Sequence, residues 1–246
     1  MMSVPLVDCG KNALSIQDAL KTTARIGTYD ELLDDTAPRI KAWVPAAAGG
    51  GRYESYYYID EADDGDGNYV EGWSDGEGYL TDETLTPGTG VWFLGGTTDA
   101  ASLSVAGAVP EQKDLTVVSE YATGYKMICN PFPYATKLND LTWFKKDGVT
   151  PLPVATYDDL LDDTAPRIKV WIPNASGSGR YESYYYIDEA DDGDGNYVEG
   201  WSDGEGYLQT EPVAQAGDGF WLVLTPETGS GVKYDGASVT FPSPLK

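Results

Sequence analysis

An internal duplication constrains what this chain can fold into more than any other feature of its sequence. Residues 51–80 are identical, position by position, to residues 179–208, and mildly changed segments extend the match at the same offset of 128 positions. A repeat of this length gives both copies the same local preferences and therefore the same elements. Half of 246 residues is an ordinary domain size. We predict two domains, 1–112 and 113–246, with the joint near residues 109–125.

The local pattern within each repeat is typical of β-strands. Residues 39–44 alternate polar and apolar side chains, as a strand buried on one face does. Residues 52–60 include four tyrosines, which suit a half-buried pleated surface. Asp and Gly residues at 63–67 predict a turn into a partner strand, and helices are expected only as short segments near 15–20 and 158–162. We predict an all-β chain of two tandem, near-identical β-sandwich or barrel-like modules.

Charge and missing residue types exclude several function classes. The chain has 40 acidic and 16 basic residues, for a formal net charge of -24. Such a surface repels nucleic acid phosphates, so no nucleic acid partner is expected. There is no histidine, which removes the commonest general base. Because no nucleophile–histidine pair, phosphate-binding glycine loop or zinc motif is present, we predict that the chain is not an enzyme.

Adjacent acids offer one enzymatic alternative. Asp34 and Asp35, repeated as Asp162 and Asp163, could be the paired carboxylates of a glycoside hydrolase. Neighbouring residues on a turn point apart, however, and face solvent. A capped turn, with Arg39 or its counterpart Arg167 pairing across it, is therefore the favoured interpretation.

Location is predicted from general features of the chain. No apolar run reaches the length of a membrane span, so no membrane insertion is expected. Residues 1–5 lack the basic region and apolar core of a signal peptide. This leaves two alternatives, a cytosolic protein or a mature or trimmed form of a secreted one. Tandem β modules with acidic turns are commonest outside the cell, so we expect a mature extracellular or cell-surface form. Cys9 and Cys129 lie at matching points of the repeats and are expected to be buried thiols.

An acidic loop in each repeat has the spacing of a calcium ligand set. Counting from Asp64, oxygen-bearing side chains fall at loop positions 1, 3, 5 and 12, as in an EF-hand. Tyr69 replaces the glycine expected at position 6, and no flanking helices are evident. The alternatives are an irregular calcium turn or a hairpin turn solvated by its acids. The predicted calcium ligands are Asp64, Asp66, Asn68 and Asp75, with Asp192, Asp194, Asn196 and Asp203 in the second repeat.

Aromatic stripes form a second candidate site. Sugar rings stack on flat aromatic platforms, and aromatic side chains also anchor protein interfaces. The alternative is core packing, because strand alternation has to bury one face of each strand. The candidate ligand-binding residues are Tyr56, Tyr58 and Trp73, with Tyr184, Tyr186 and Trp201 in the second repeat.

Three motifs of the second repeat resemble modules of large exported bacterial surface proteins. They lie at residues 129–133, 138–141 and 217–221, and those modules carry an "NPFP" turn, a Trp- and Tyr-rich β segment and a closing "PGxGFW" strand. In the first repeat, residues 10–13 and 90–92 depart from both motifs. The resemblance implies a cell-surface β module and transfers no catalytic residue.

Together these features predict an extracellular structural or assembly protein, polymerising into a fibre or surface layer and stabilised by calcium. Two matched copies suit avidity or a modular building block. Residues 115–118 and 125–128 are predicted strands at the joint, so one outer module would lack a strand that the joint supplies. Such an edge invites strand donation and self-association. The alternative is a carbohydrate- or protein-binding surface module with a glycan or protein partner.

Overall fold

The structure is a computed structural model of the chain, and it describes most of the 246 residues. The described residues are 2–3, 14–45, 51–85, 88–95, 103–105, 115–119, 124–132, 134–173, 179–213, 218–224 and 236–242. Cys9 and parts of the predicted joint lie outside them, so the predicted domain boundary stays a prediction.

Strands dominate the described part of the chain. In the first half they are β1 (Met2–Ser3), β2 (Leu14–Ser15), β3 (Leu20–Thr22), β4 (Arg39–Pro45), β5 (Gly51–Asp63), β6 (Tyr69–Ser74), β7 (Thr84–Leu85), β8 (Gly90–Leu94) and β9 (Leu103–Val105). In the second half they are β10 (Leu115–Ser119), β11 (Gly124–Cys129), β12 (Thr142–Lys145), β13 (Arg167–Pro173), β14 (Gly179–Asp191), β15 (Tyr197–Ser202), β16 (Gly219–Leu224) and β17 (Ala237–Phe241).

Helices are short. They are α1 (Ile16–Ala19), α2 (Tyr29–Leu33), α3 (Tyr157–Leu161) and a 3-10 turn at Leu138–Asp140. Helices α1 and α3 were expected from the sequence, whereas α2, the counterpart of α3, was not. None of the helices in the described part of the chain has the length and apolar character that crossing a membrane requires.

The strands form open antiparallel sheets, which confirms the all-β prediction. One five-stranded sheet has the order β1-β8-β4-β5-β6, and the other has the matching order β11-β16-β13-β14-β15. A three-stranded sheet, β10-β17-β12, and two pairs, β2-β7 and β3-β9, complete the set. Within the described residues no sheet closes into a barrel, so the barrel-like alternative is not what forms.

The long β5–β6 hairpin follows from the alternation in the sequence. Tyr57 pairs with Ser74 and Tyr58 with Trp73, and the register shifts by a bulge between Ile59 and Ala62. The β14–β15 hairpin has the same pairs and the same bulge. Successive tyrosines therefore point to opposite faces, as a period of two requires.

The second five-stranded sheet is covered on both faces. On one face, Ile168, Phe220 and Leu222 share a core with Trp143 and Val239 of the three-stranded sheet. Every residue of β16 is buried, including those that alternate away from this core. Burying a large apolar side chain contributes about 1.5–3 kcal/mol, so both faces stabilise the fold. The first sheet has a smaller core of the same kind around Ile40, Trp73 and Val91.

The two five-stranded sheets meet through four tryptophans. Trp43 of β4 packs edge-on against Trp221 of β16, with ring centroids 5.3 Å apart. Trp92 of β8 packs against Trp171 of β13 at 6.1 Å. Trp43 and Trp171 are counterparts in the repeat, and so are Trp92 and Trp221. Each repeat thus contributes the same two tryptophans. In both contacts, a tryptophan of one repeat packs on the tryptophan of the other repeat that is not its own counterpart.

Backbone contacts bring the two sheets close at Gly90. The Cys129 amide donates to the Gly88 carbonyl at 3.0 Å. A Cβ atom on Gly90 would lie 2.4 Å from the Met127 side chain and 2.8 Å from the Cys129 sulfur, so a larger residue there would have to displace these side chains. Cys129 is buried, as expected, and burial raises the pKa of its thiol.

The edge of β6 is covered by a side chain rather than by a strand. The Gln17 amide oxygen accepts from the Trp73 amide at 3.1 Å. In the second repeat, Asn139 accepts from the Trp201 amide at 2.7 Å and donates to the Gln209 carbonyl at 2.8 Å. These amides satisfy backbone groups that an edge strand would otherwise expose.

The motif that carries the resemblance has a structural role in the second repeat. Asn130 is fully buried, and its side-chain oxygen accepts from the Phe132 amide at 3.1 Å. Its amide nitrogen donates to Thr136 at 3.2 Å. Phe132 fills the core, so this turn fixes the chain between β11 and the 3-10 turn.

Candidate functional site

The acidic hairpin loop is ordered by its own carboxylates. Asp64 accepts from the amides of Asp66 at 2.9 Å and Asn68 at 3.1 Å, and its second oxygen accepts from the Asn68 side chain at 2.9 Å. Asp192 makes the same three bonds to Asp194 and Asn196. These hydrogen bonds, first of all the one from the Asn side chain, lower the pKa of Asp64 and of Asp192. This is the geometry of an Asx turn.

The fourth predicted ligand lies in a separate turn. Asp75 accepts from the amides of Glu77 at 2.9 Å and Tyr79 at 3.0 Å, and Asp203 repeats both bonds. Along the described residues, no group of three or more metal-binding side chains is placed to hold a metal ion. The structure thus brings Asp64 and Asn68 together but not the full predicted set. Calcium binding stays a prediction that this geometry does not support.

The predicted aromatic platform lies largely in the core. Trp73 is 1% exposed, Trp201 is 0% exposed and Tyr56 is 8% exposed. Tyr58 packs on Trp73 with ring centroids 5.3 Å apart, and Tyr186 on Trp201 at 5.4 Å. Side chains of a strand alternate between its two faces, and these rings lie on the face of the hairpin that is packed against the core. Tyr184 is half-buried against the same core.

Part of this aromatic set borders a shallow pocket. Tyr186, Glu199 and Trp201 line a cavity of about 280 Å³ in the second repeat. The Tyr186 hydroxyl donates to Glu199 at 2.5 Å, and Tyr58 donates to Glu71 in the first repeat. Burial, and then the Glu71 carboxylate, raise the pKa of Tyr58 to about 12. These hydroxyls are engaged within the protein.

The adjacent acids form a capped turn with an ion pair, as favoured from the sequence. Asp35 follows α2 with a φ of 56°, and Arg39 contacts its carboxylate at 3.0 Å. The Tyr57 hydroxyl donates to the same carboxylate at 2.7 Å. Asp163 and Arg167 repeat the pair at 3.1 Å. Asp35 and Asp163 are thus each bound to an arginine and a tyrosine, and each ends the helix that precedes it.

A pocket that sequence reasoning missed lies at the base of each acidic hairpin. We call it the tyrosine pocket: the residues that line it include three tyrosines, Tyr29, Tyr69 and Tyr79, and three acidic residues, Glu61, Asp63 and Glu77. Its volume is about 350 Å³. The three tyrosines are 39%, 69% and 50% exposed, respectively.

Helix α2, strands β5 and β6 and the turn at residues 75–79 position these side chains. Tyr29 is the first residue of α2, which Thr28 and Glu31 begin with a capping box. Its ring packs on Gly78, whose φ of +92° and missing Cβ leave room for it. Asp63 ends β5, pairs with Tyr69 across the hairpin, and donates its amide to the Gly78 carbonyl at 2.9 Å.

The second repeat contains the same pocket. Its lining is Tyr157, Tyr197, Tyr207, Glu189, Asp191 and Glu205, and its volume is about 400 Å³. Its tyrosines are 36%, 68% and 52% exposed, nearly as those of the first pocket are. The sequence signal was exact identity at all these positions, but only the fold brings residue 29 to residue 78.

The tyrosine pocket has a defined chemical character. Among the described residues that line it, three are acidic and none is basic. Asp63 accepts from the Gly65 amide at 2.8 Å, whereas within the described part of the chain Glu61 and Glu77 make no side-chain hydrogen bond or ion pair. The pocket therefore combines negative charge with exposed aromatic rings. No protein-family model, curated protein or solved structure matches the chain.

Proposed function

We propose that this chain is an extracellular, non-catalytic binding protein built from two tandem modules, each of which presents one tyrosine pocket. The observation that carries the proposal is the pair of pockets with the same lining residues and nearly the same ring exposures. Tyrosine rings exposed in a concave site provide contact area at low cost in side-chain entropy. A polar and aromatic pocket of this size fits one small ligand or one side chain of a partner.

Two equal sites in one chain favour avidity. Linking two modules makes the second binding event intramolecular, which raises the overall affinity for a ligand that repeats. The four-tryptophan contact between the sheets supports a fixed arrangement of the two sites. A polymer or a surface that displays many copies of one group is the expected partner.

The test is a screen of defined glycans and peptides against the chain and three variants. The variants are Tyr69→Ala, Tyr197→Ala and the double substitution; both side chains are mostly exposed, so folding should persist, which thermal unfolding checks. We expect a ligand that binds at two sites per chain, weakened at one site by each single variant and at both by the double variant. The proposal is contradicted if the double substitution does not weaken binding, or if no glycan or peptide of the panel binds.

A second candidate is assembly by strand addition. Strand β11 pairs with all six residues of β16, whereas β1 pairs with only Met2↔Val91 and Ser3↔Gly90 along β8. Among the described residues, the β8 edge is thus less covered than its counterpart, and Leu94 on it is exposed. A partly open edge is a template for a strand of another chain. Light scattering over a range of concentrations tests this candidate; a monomer at every concentration contradicts it.

A further inference from the structure

We propose that each tyrosine pocket binds an alkylammonium group, that is, a positively charged nitrogen on an apolar stem. This inference rests on the proposed function and names its ligand class. The same chemistry can come from a lysine side chain of a partner polypeptide or from a free polyamine, and the test below separates these sources.

Charge is the first argument. Three acidic residues, Glu61, Asp63 and Glu77, line one cavity, and no basic residue is among the described residues that line it. The whole chain has a formal net charge of -24, which adds to the attraction for a cation and disfavours an anion. The carboxylates of Glu61 and Glu77 stay without a side-chain partner in the described part of the chain, so they remain open to a ligand.

The aromatic walls are the second argument. A cation is attracted to the face of a tyrosine ring within about 6 Å of its centroid. Tyr69 is 69% exposed and Tyr79 is 50% exposed although both border a cavity, so ring surface is open to a bound group. The apolar stem of the ligand would pack on these rings while its charged nitrogen faces the acids.

The geometry argues against the two nearest alternatives. A calcium ion needs six to eight oxygens at about 2.3–2.6 Å, and the described acids form no such group. A neutral sugar would leave the acidic residues that line the pocket without a counter-charge. A larger organic cation tolerates longer distances to the carboxylates and also uses the rings.

The experiment uses the full chain and calorimetry with n-butylammonium chloride as the probe and n-butanol as its neutral counterpart. We expect n-butylammonium to bind at two sites per chain and n-butanol not to bind. Glu61→Gln with Glu189→Gln, and separately Tyr69→Ala with Tyr197→Ala, should each raise the Kd about two- to five-fold. A blocked peptide with three lysines and spermidine, which carry the same charge, are compared next, and the tighter binder identifies the source.

The matched control is Asp66→Asn with Asp194→Asn. It removes the same charge from the same hairpins but lies outside the pocket lining, so the Kd should stay unchanged. An equal weakening by this control, or equal binding of n-butanol, overturns the inference. If n-butylammonium does not bind but another ligand depends on Tyr69 and Tyr197, this inference falls and the proposed function stands.

Discussion

Gly78 shapes the tyrosine pocket through one missing atom. Its backbone has a φ of +92°, and an added Cβ would lie 2.5 Å from the ring of Tyr29. Gly76, two residues earlier in the same turn, has open space around it and no such φ. The same contrast holds between Gly206 and Gly204. Gly78 is therefore needed for the backbone conformation and for the packing of the Tyr29 ring, whereas Gly76 is needed for neither.

Alanine at these two positions should have opposite effects. Gly78→Ala should lower the free energy of unfolding by about 1 kcal/mol or more and displace the ring of Tyr29, because alanine is strained at positive φ. Gly76→Ala should be neutral or stabilise by up to about 1 kcal/mol, because it restricts the unfolded chain. Urea unfolding of both variants measures this, and equal effects would contradict the assignment.

Glu31 gives a pH-dependent prediction for the start of α2. Its carboxylate is held by Arg25 and the Thr28 amide, which lower its pKa from 4.5 to about 2. A lowered pKa means that the ionised form stabilises the fold. Its contribution is present above pH 4.5 and is lost as the pH falls to about 2. Glu31→Gln should therefore be less stable than the parent at pH 7 and equal to it near pH 2.

Urea unfolding at pH 7, 4 and 2 checks this expectation. In an Arg25→Ala background the difference at pH 7 should narrow, because Arg25 is the largest cause of the lowered pKa. A difference between the parent and Glu31→Gln that stays constant from pH 7 to pH 2 would contradict the role given to this carboxylate.

At the level of elements, substitutions in the acidic hairpin loop distinguish a turn held by its own hydrogen bonds from a calcium-binding loop. Asp64→Ala with Asp192→Ala should lower the melting temperature with or without calcium, because three hydrogen bonds that fix each turn are lost. Asp66→Ala with Asp194→Ala should leave it nearly unchanged. A rise with millimolar calcium that the second pair abolishes would instead support a metal site.

The elements also show what the sequence could predict. The hairpins and the strands at 39–44 and 115–118 were predicted because alternation and turn residues are local signals. Helix α2 was missed although its counterpart α3 was predicted. The two helices have nearly the same sequence and the same capping box, so the repeat was the signal that could have found α2. The tyrosine pocket was missed because it joins a helix start to a turn 49 residues later. Alternation along a strand shows which side chains share a face, but it does not show which face is buried. The burial of Trp73 and Trp201 therefore could not be predicted from it.

At the scale of the whole molecule, the four tryptophans couple the two sheets. Trp43→Ala and Trp221→Ala combined in a double-mutant cycle should show a coupling energy of about 0.5–1.5 kcal/mol, because their rings are in edge contact. Trp92 with Trp171 should give a similar value. As a control, Trp43 with Trp143, which packs on Trp201, should be additive within about 0.5 kcal/mol. Urea unfolding measures all three cycles, and no coupling in the first two would contradict the contact.

The reciprocal tryptophan contact also decides how this surface can be used. Each repeat offers the same patch to the other, as the subunits of a twofold dimer do, and such isologous pairing closes on itself. Trp43 and Trp92 of the first repeat already contact Trp221 and Trp171 of the second, so no half of this patch is left for a third copy. Open-ended growth of a filament would need a heterologous contact elsewhere on the molecule.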